Sequence, residues 1–336
     1  MNNHYCCQIV PNYLLKKLGK KTQVVKSHMF RSKRKFLLNN PEFRLIPKKT
    51  HQETRRLFDS QNTESFNTKP IATDKQIHST EPSKYPALEL ANKVYDYFHN
   101  DFNMESWDNN NSTVDVHIHY GYKYDNAFWD GEKMTFGDGD GEYFKTFLLQ
   151  NIFTHEYAHA ITETNSGLIY ENQAGALNES LSDVFAVCLD QKIKNETPDK
   201  ASWLIGEGIF TKKVKGKALR TFKDELAYND PEIGVDEQPK NMRNYQDLPN
   251  TEDSDYGGVH VNSGILNHAF YQFCMISNLK SFEQPQKIWF QTYKLIKPNT
   301  NFNQFAKATL TTTKKVYPNL QTSLKDAWNK VGIILP

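Results

Sequence analysis

The strongest constraint on how this chain folds is the pattern His-Glu-Tyr-Ala-His at residues 155–159. It lies in a segment, residues 151–164, whose apolar side chains recur at helical spacing. On a helix, positions four apart share one face, so both histidines can reach a single metal ion. Glu156 lies about 100° round the helix from His155, close enough to act on a water molecule beside that ion. The alternative is a helix that carries two surface histidines by chance.

A second predicted helix can complete such a site. A catalytic zinc ion takes three protein ligands in tetrahedral geometry and keeps the fourth position for water. The segment from about 172 to 192 has apolar residues at helical spacing and follows a short turn, so we expect it to pack antiparallel to the first helix. Glu179, 20 residues after His159, can then face the histidines, and Asp183 lies one turn further on. In isolation, Glu179 and Asp183 would be interpreted as solvated carboxylates on a helix surface. At this spacing we interpret Glu179 as the third ligand and Asp183 as an acceptor for a histidine N–H.

Three separate blocks, in the right order, resemble the thermolysin family of zinc metallopeptidases. They are HEYAHAITETNSGLIYENQAGALNESLSD at residues 155–183, YDNAFWDGEKMTFGDGDG at 124–141 and DYGGVHVNSGILN at 255–267. The resemblance covers the chain from about residue 57 to the C-terminus. It implies a two-domain α+β fold in which the helix with the HExxH pattern lies between the domains and forms the floor of a cleft.

The resemblance also implies a role for each motif residue. The implied zinc ligands are His155, His159 and Glu179. Asp183 is implied to orient a ligating histidine by accepting its N–H. The implied catalytic residues are Glu156 as general base, His260 and Tyr170 as donors to the transition state, and Asp255, which orients His260. The implied substrate-binding residues are Asn126 and Ala127 on an edge strand, and Arg220, which holds a substrate carbonyl.

The implied reaction is hydrolysis of peptide bonds by a zinc-bound water, whose pKa zinc lowers to about 7. Glu156 would take the proton of this water and return it to the leaving amine. The implied specificity pocket is apolar, with Ile152, Ile205 and Leu219 as its lining, so cleavage before bulky hydrophobic residues is expected. A catalytically silent zinc-binding adhesion or interaction module on a protease scaffold is the alternative. The intact catalytic residues argue against it.

The first 56 residues, called here the N-terminal arm, differ in charge from the rest of the chain. The arm has 14 Lys and Arg against two Glu, whereas the remaining residues carry a net charge of −10. Composition leaves two interpretations open, an arm that binds nucleic acid and a propeptide that lies across an acidic cleft. The segment with Pro11 and Leu15 resembles the short propeptide of the protealysin-like branch of the family, which favours an autoinhibitory propeptide. Cys6 and Cys7 are expected to have a buried apolar role rather than to bind zinc.

We therefore predict an α+β chain in three parts. They are a short basic propeptide at 1–56, a β-rich domain at 57–164 that ends in the HExxH helix, and a mainly helical domain at 165–336. Strands are predicted at 113–120, 126–129 and 133–136. Helices are predicted at 86–98, 172–192, 263–277, 283–296, 302–315 and 321–331.

Further expectations concern metals, partners and compartment. The family's main calcium site corresponds to Asn151, Asp190, Ser202, Leu204 and Glu207, and only two of these are carboxylates, so calcium binding is expected to be weak or absent. The expected partners are protein or peptide substrates, the chain's own propeptide in cis and a proteinaceous inhibitor, but not nucleic acid. No apolar run approaches the about 20 residues that span a membrane. The N-terminus does not read as a secretory signal, which fits the cytoplasm or export by a non-classical route.

Overall fold

The structure is a computed structural model that describes residues 7–40, 54–76 and 85–336. The expectation for Cys6 lies outside the described residues. Among those that are described, no helix is long and apolar enough to cross a membrane. The strands of the main sheet all lie before residue 137 and most of the helices follow residue 149, which is the predicted α+β arrangement.

A six-stranded sheet forms the first half of the molecule, with strand order β1-β5-β6-β4-β2-β3. Its strands are β1 (Cys7–Gln8), β2 (Arg55–Asp59), β3 (Ala72–Thr73), β4 (Val114–Ile118), β5 (Ala127–Trp129) and β6 (Met134–Phe136). The three strands predicted between residues 113 and 136 are β4, β5 and β6, each slightly shorter than predicted. Two short hairpins follow later in the chain, namely β7 (Leu204–Ile205) with β8 (Arg220–Thr221), and β9 (Asn229–Asp230) with β10 (Gly234–Val235).

Helices make up most of the second half. The arm contains α1 (Asn12–Lys17) and α2 (Lys21–Asn39), and the later helices are α3 (Pro86–Phe102), α4 (Gln150–Asn165), α5 (Asn172–Lys194), α6 (Asp255–Ser277), α7 (Gln284–Thr292), α8 (Phe302–Val316) and α9 (Gln321–Lys330). The predicted helices at 172–192, 302–315 and 321–331 match α5, α8 and α9 closely. The predicted helix at 263–277 begins earlier, at Asp255, because a left-handed turn continues directly into it.

Helices α4 and α5 lie in the centre of the molecule, where α4 packs on β5 and on α5, and α5 packs on α6. Residues 151–162 of α4 are all buried, including the polar ones. A helix that is covered on every side has no solvent face, so it does not show the one-sided apolar pattern of a surface helix. The polar side chains of α4 must therefore find partners inside the protein.

The N-terminal arm is folded against the rest of the chain, and its two helices were not predicted. They are α1 (Asn12–Lys17) and α2 (Lys21–Asn39). The buried stripe of α2 runs through Val24, Ser27, Arg34 and Leu37, and its two polar members hide the helical period from sequence inspection. Phe30 of α2 stacks on Phe128 of β5, with ring centroids 4.3 Å apart.

Ion pairs between the arm and the body explain the uneven charge of the chain. The arm-to-body pairs are Lys16 with Asp253, Lys17 with Glu237, Lys20 with Asp125 and Asp140, Lys26 with Glu64, His28 with Glu252, Lys33 with Asp130 and Glu132, and Arg34 with Glu163. The pair between Arg34 and Glu163 is almost fully buried, with Nε and Nη2 of the guanidinium both 2.9 Å from Oε2 of the carboxylate. Most of the arm's described positive charge is therefore neutralised within the same molecule.

We expect Arg34→Met to destabilise the full-length protein, because it leaves the Glu163 carboxylate buried without its cation. Removing one partner of a buried ion pair costs about 3–5 kcal/mol. The measurement is chemical denaturation of the full-length chain, together with the rate at which an added protease cuts the arm. The double variant with Glu163→Gln is the control and should recover most of the loss. Unchanged unfolding of the single variant would show that this pair does not hold the arm.

Candidate active site

The three predicted metal ligands come together between α4 and α5. Nε2 of His155 and Nε2 of His159 are 2.9 Å apart, and the Glu179 carboxylate oxygens lie 3.5 Å and 3.4 Å from them. All three side chains are completely buried. Donor atoms around a tetrahedral zinc ion are about 3.3–3.5 Å apart, given bonds of about 2.0–2.2 Å. The donor types fit one zinc ion, and two of the three spacings fall in this range, while the two histidine nitrogens are closer together. These residues are the one such group among those the structure describes.

The other ring nitrogen of each histidine has a polar neighbour, which fixes the orientation of the imidazole. Nδ1 of His155 lies 2.8 Å from Oδ1 of Asp183, as the spacing on α5 predicted. Nδ1 of His159 lies 2.9 Å from Oδ1 of Asn178 and 3.0 Å from the hydroxyl of Ser182. Sequence reasoning missed Asn178 and Ser182, although both lie within three residues of Glu179.

Glu156 is fully buried beside His155, His159 and Glu179, which are called the triad below. Its Oε2 accepts a hydrogen bond of 2.9 Å from the backbone N–H of Trp129 in β5, while Oε1 has no hydrogen-bond partner among the described residues. Burial raises the pKa of Glu156 to about 7. A carboxyl group with one free oxygen and such a pKa can both accept and donate a proton near neutral pH.

His260 reaches the triad from the start of α6. The Asp255 carboxylate accepts hydrogen bonds of 2.7 Å from both Nδ1 and the backbone N–H of His260. Although burial opposes it, the Asp255 and Glu179 carboxylates raise the pKa of His260. The Tyr170 hydroxyl lies 3.1 Å from Nε2 of His260 and donates to Glu179. His260 and Tyr170 therefore present two donors at the same side of the triad.

The turn before His260 depends on two glycines. Gly257 and Gly258 have φ values of +84° and +73°, in the left-handed region that favours glycine. A Cβ atom on Gly257 would lie 2.3 Å from Oδ1 of Asn172, and one on Gly258 would lie 2.7 Å from Nδ2 of Asn262. Neither position has room for a side chain, so the turn that sets the place of His260 requires this glycine pair.

Arg220 contacts both Asp183, which lies beside the triad, and the N-terminal arm in the cleft. Its Nε and Nη2 donate to the two oxygens of Asp183 at 2.9 Å and 2.8 Å, and Nη1 donates to the backbone carbonyl of Ile9 in the arm at 2.9 Å. Although burial opposes it, the Arg220 guanidinium lowers the pKa of Asp183 to about 2, so the carboxylate stays ionised. One arginine thus contacts both the support of a metal ligand and the chain that lies in the cleft.

The arm lies in the cleft as an added strand. β1 pairs antiparallel with β5, so that Cys7 is opposite Trp129 and Gln8 is opposite Phe128. The Ile9 N–H donates to the Ala127 carbonyl at 3.2 Å. Addition of an extended segment to a sheet edge is a common way to bind a peptide backbone.

The side chain of Asn126 continues this pairing. Its Oδ1 accepts from the Val10 N–H at 3.0 Å, and its Nδ2 donates to the Val10 carbonyl at 3.1 Å. Nε2 of His260 lies 2.8 Å from the Gln8 carbonyl oxygen. The three residues predicted to bind substrate, together with His260, therefore all contact the backbone from Gln8 to Val10.

The side chain of Ile9 is fully buried. It belongs to the large apolar core of the protein, which also contains Ile152, Ile205 and Leu219, the residues predicted to line the specificity pocket. The arm therefore places an apolar side chain next to a backbone carbonyl that Arg220 holds.

At the positions that correspond to the family's main calcium site, Asp190 and Glu207 are the two carboxylates. The Asn151 amide donates to the Leu204 carbonyl at 3.4 Å and accepts from the Gly206 N–H at 3.2 Å. The Ser202 hydroxyl donates to Glu207 at 2.8 Å. Burial raises the pKa of Asp190 to about 6. Local hydrogen bonds thus occupy several of the oxygen atoms at these positions.

Comparisons with known proteins agree with this geometry. A family model described as the thermolysin metallopeptidase catalytic domain matches residues 17–163, and one described as the thermolysin metallopeptidase alpha-helical domain matches residues 166–333. The first match begins inside the arm, so the boundary after residue 56 stays a prediction.

The similar proteins are proteases by name. An extracellular metalloprotease of Pectobacterium carotovorum is 35% identical over 287 residues, which are 84% of this chain and 82% of that protein. The neutral protease NprE of Bacillus pumilus is 37% identical over 284 residues, 82% of this chain and 86% of that protein. The solved structure of the precursor of protealysin, a metalloproteinase from Serratia proteamaculans, matches with a TM-score of 0.82 and 34% identity, covering 97% of this chain and 99% of that one. The chain therefore belongs to the thermolysin family of metallopeptidases, and within it to the protealysin-like members.

Proposed function

We propose that this metallopeptidase is a zinc-dependent neutral endopeptidase that is made as a precursor and inhibited by its own N-terminal arm. The observation that carries the proposal is the course of the arm. Its backbone from Gln8 to Val10 contacts Ala127, Asn126, Arg220 and His260 beside a buried triad that fits zinc.

His155, His159 and Glu179 would hold the zinc ion. When bound there, zinc would act as a Lewis acid and lower the pKa of a water molecule to about 7. Glu156 is the group that would take the proton of the attacking water, since it is buried beside the triad and one of its oxygens has no hydrogen-bond partner in the described part of the chain. The same carboxyl group would then give a proton to the amine that leaves.

The remaining residues would bind and orient the substrate. His260 and Tyr170 would donate hydrogen bonds to the oxygen of the carbonyl under attack, at the place where His260 now faces the Gln8 carbonyl. Loss of one such donor costs on the order of 10²–10³ in rate. Asn126, Ala127 and Arg220 would hold the backbone of the residues after the scissile bond, as they hold Ile9 and Val10 of the arm.

In the precursor, the arm would exclude substrate from the cleft. It fills the edge of β5 with its own backbone and buries Ile9 in the apolar core. Ion pairs along α1 and α2 hold it in place, which leaves little of its charge for nucleic acid. We propose that removal of residues 1–56, by a cut between about Ile46 and Asn62, opens the cleft between the domains at 57–164 and 165–336.

Three further proposals concern calcium binding, a proteinaceous inhibitor and the compartment of the protein. We propose weak or no calcium binding at Asn151 and its neighbours, which equilibrium dialysis can measure. A proteinaceous inhibitor stays a prediction. The name of the Pectobacterium relative favours release from the cell over the cytoplasm, the two compartments that the sequence left open.

We expect Glu156→Ala to bind one zinc ion per chain and to lose peptide hydrolysis by a factor on the order of 10²–10⁴, because the general base is absent while the ligands remain. Zinc is measured by elemental analysis, and hydrolysis with a fluorogenic peptide and the processed protein. The control is Glu105→Ala, a glutamate whose side chain is half exposed. Hydrolysis by Glu156→Ala near the wild-type rate would refute the mechanism. A wild-type protein that cuts no peptide with zinc present would favour the catalytically silent alternative.

Peptides that differ only in the residue after the scissile bond should reveal an apolar pocket. We expect Leu at this position to give a kcat/KM about tenfold or more above Ala, because the larger side chain buries more apolar surface beside Ile205 and Leu219. The measurement uses processed protein and equal peptide concentrations. A preference for Asp or Lys at this position would contradict the proposed pocket.

In the uncut full-length chain, Ile9→Asp should raise the initial rate of peptide hydrolysis about tenfold or more. The variant would bury a carboxylate in the apolar core, which weakens the binding of the arm. The matched control is Val25→Asp, since Val25 lies on α2 of the same arm and is 58% exposed. Gel electrophoresis must show that the arm is still attached. Equal rates for wild type and Ile9→Asp would mean that the arm does not inhibit through this residue.

A further inference from the structure

One lysine of the arm is held between two buried carboxylates at the end of the cleft. Nζ of Lys20 lies 2.7 Å from Oδ2 of Asp125 and 2.8 Å from Oδ2 of Asp140. The Asp125 side chain is fully buried and that of Asp140 is 3% exposed. Among the described residues, Lys20 is the one cation that forms an ion pair with either of them. When the arm leaves, both carboxylates therefore lose their positive partner.

The body of the protein holds these carboxylates in place. Oδ1 of Asp140 accepts hydrogen bonds from the backbone N–H groups of Glu142, Tyr143 and Phe144 at 2.9 Å, 2.8 Å and 3.1 Å. Burial raises the pKa of Asp125 to about 6, in spite of the neighbouring ammonium group. Asp125 and Asp140 are close enough to repel each other, and Lys20 is the cation between them, so this place favours a new positive group after the arm has left.

The chemistry of the site favours an ammonium or guanidinium group over a calcium ion. Calcium takes six to eight oxygen ligands, whereas the three N–H groups already occupy Oδ1 of Asp140. A single ammonium group contacts one oxygen of each carboxylate here. Two such charge-assisted contacts are what a Lys or Arg side chain can satisfy.

The strand register shows which part of a substrate lies near this site. Cys7 is opposite Trp129 and Gln8 is opposite Phe128, and Val10 contacts the side chain of Asn126. Continued by one residue, this antiparallel register would place Pro11 opposite Asp125. Ile9 corresponds to the first residue after the scissile bond in the proposed function. The two carboxylates therefore lie near the second and third residues after that bond.

The other ion pairs of the arm differ from this one. Glu163, the partner of Arg34, is also buried, but it is a single carboxylate, and Nε1 of Trp129 donates to it at 3.3 Å. Asp253 and Glu237, the partners of Lys16 and Lys17, have side chains that are 83% and 48% exposed, so water solvates them once the arm has gone. Asp130 is buried, but it also pairs with Lys133 of the body at 3.2 Å.

We propose that Asp125 and Asp140 form a subsite of the processed enzyme that selects a Lys or Arg side chain two or three residues after the scissile bond. The proposal rests on the proposed function, and it adds a charge requirement to the apolar pocket. Lys20 would occupy this subsite in the precursor, which makes the arm a mimic of a cationic substrate in side chain as well as in backbone.

The test uses the full-length chain after it has been processed, with zinc present, and peptides that carry Leu directly after the scissile bond. Lys, norleucine or Glu is placed at the second or third position after the bond. Norleucine matches the length of the lysine stem but has no charge. We expect Lys at one of these positions to give a kcat/KM on the order of tenfold above norleucine, and Glu to be the poorest. Equal values for Lys and norleucine at both positions would overturn the proposal without the need for any variant.

A variant shows whether the preference comes from this subsite. Asp125→Asn should bring the ratio of Lys to norleucine to about one, because it removes a charge at nearly constant volume. Asp253→Asn, which changes an exposed carboxylate that pairs with the arm, should leave the ratio as in wild type. A ratio that survives Asp125→Asn would overturn the assignment. If no peptide of the set is cut at all, the proposed function fails instead, so the two failures are distinguishable.

Discussion

The buried carboxylate of Asp183 is the interaction on which both halves of the site depend. It lies 2.8 Å from Nδ1 of His155, receives two donors from Arg220, and accepts from the Asn267 amide at 2.9 Å. An ionised group at this depth is tolerable only because each oxygen has cationic or polar partners. Through it, one side chain on α5 sets the orientation of a proposed metal ligand and the position of the arginine proposed to bind substrate.

Much of this site could be predicted because the relevant residues are close in sequence on two helices. His155 and His159 on α4, and Glu179 and Asp183 on α5, are each four residues apart, a helical spacing that the sequence shows directly. His260 was different, since its place depends on a left-handed turn, and only the pair Gly257-Gly258 signals that turn. Asn178 and Ser182 were missed because an amide or hydroxyl on a buried helix has no pattern that separates a ligand support from a core residue.

The association of the arm with the rest of the chain could be predicted, but its structure could not. Its excess of basic residues, against the acidic remainder, indicates that the two parts attract each other. Composition cannot say which carboxylate meets which lysine, because these pairs depend on the fold. The helix α2 was missed for a related reason: Arg34 lies in its buried stripe, where it is satisfied by Glu163 from a distant part of the chain.

The pairing of β1 with β5 has a consequence for the sheet as a whole. An edge strand presents unpaired N–H and C=O groups, which can template pairing with another molecule. Here the chain covers that edge with its own backbone, so the six-stranded sheet carries a strand that comes from the arm. In the function proposed above, release of the arm shortens the sheet to five strands, and each bound substrate restores the sixth until it is cut. Catalysis would then be a repeated gain and loss of one strand, with the precursor as the form in which the sheet stays complete.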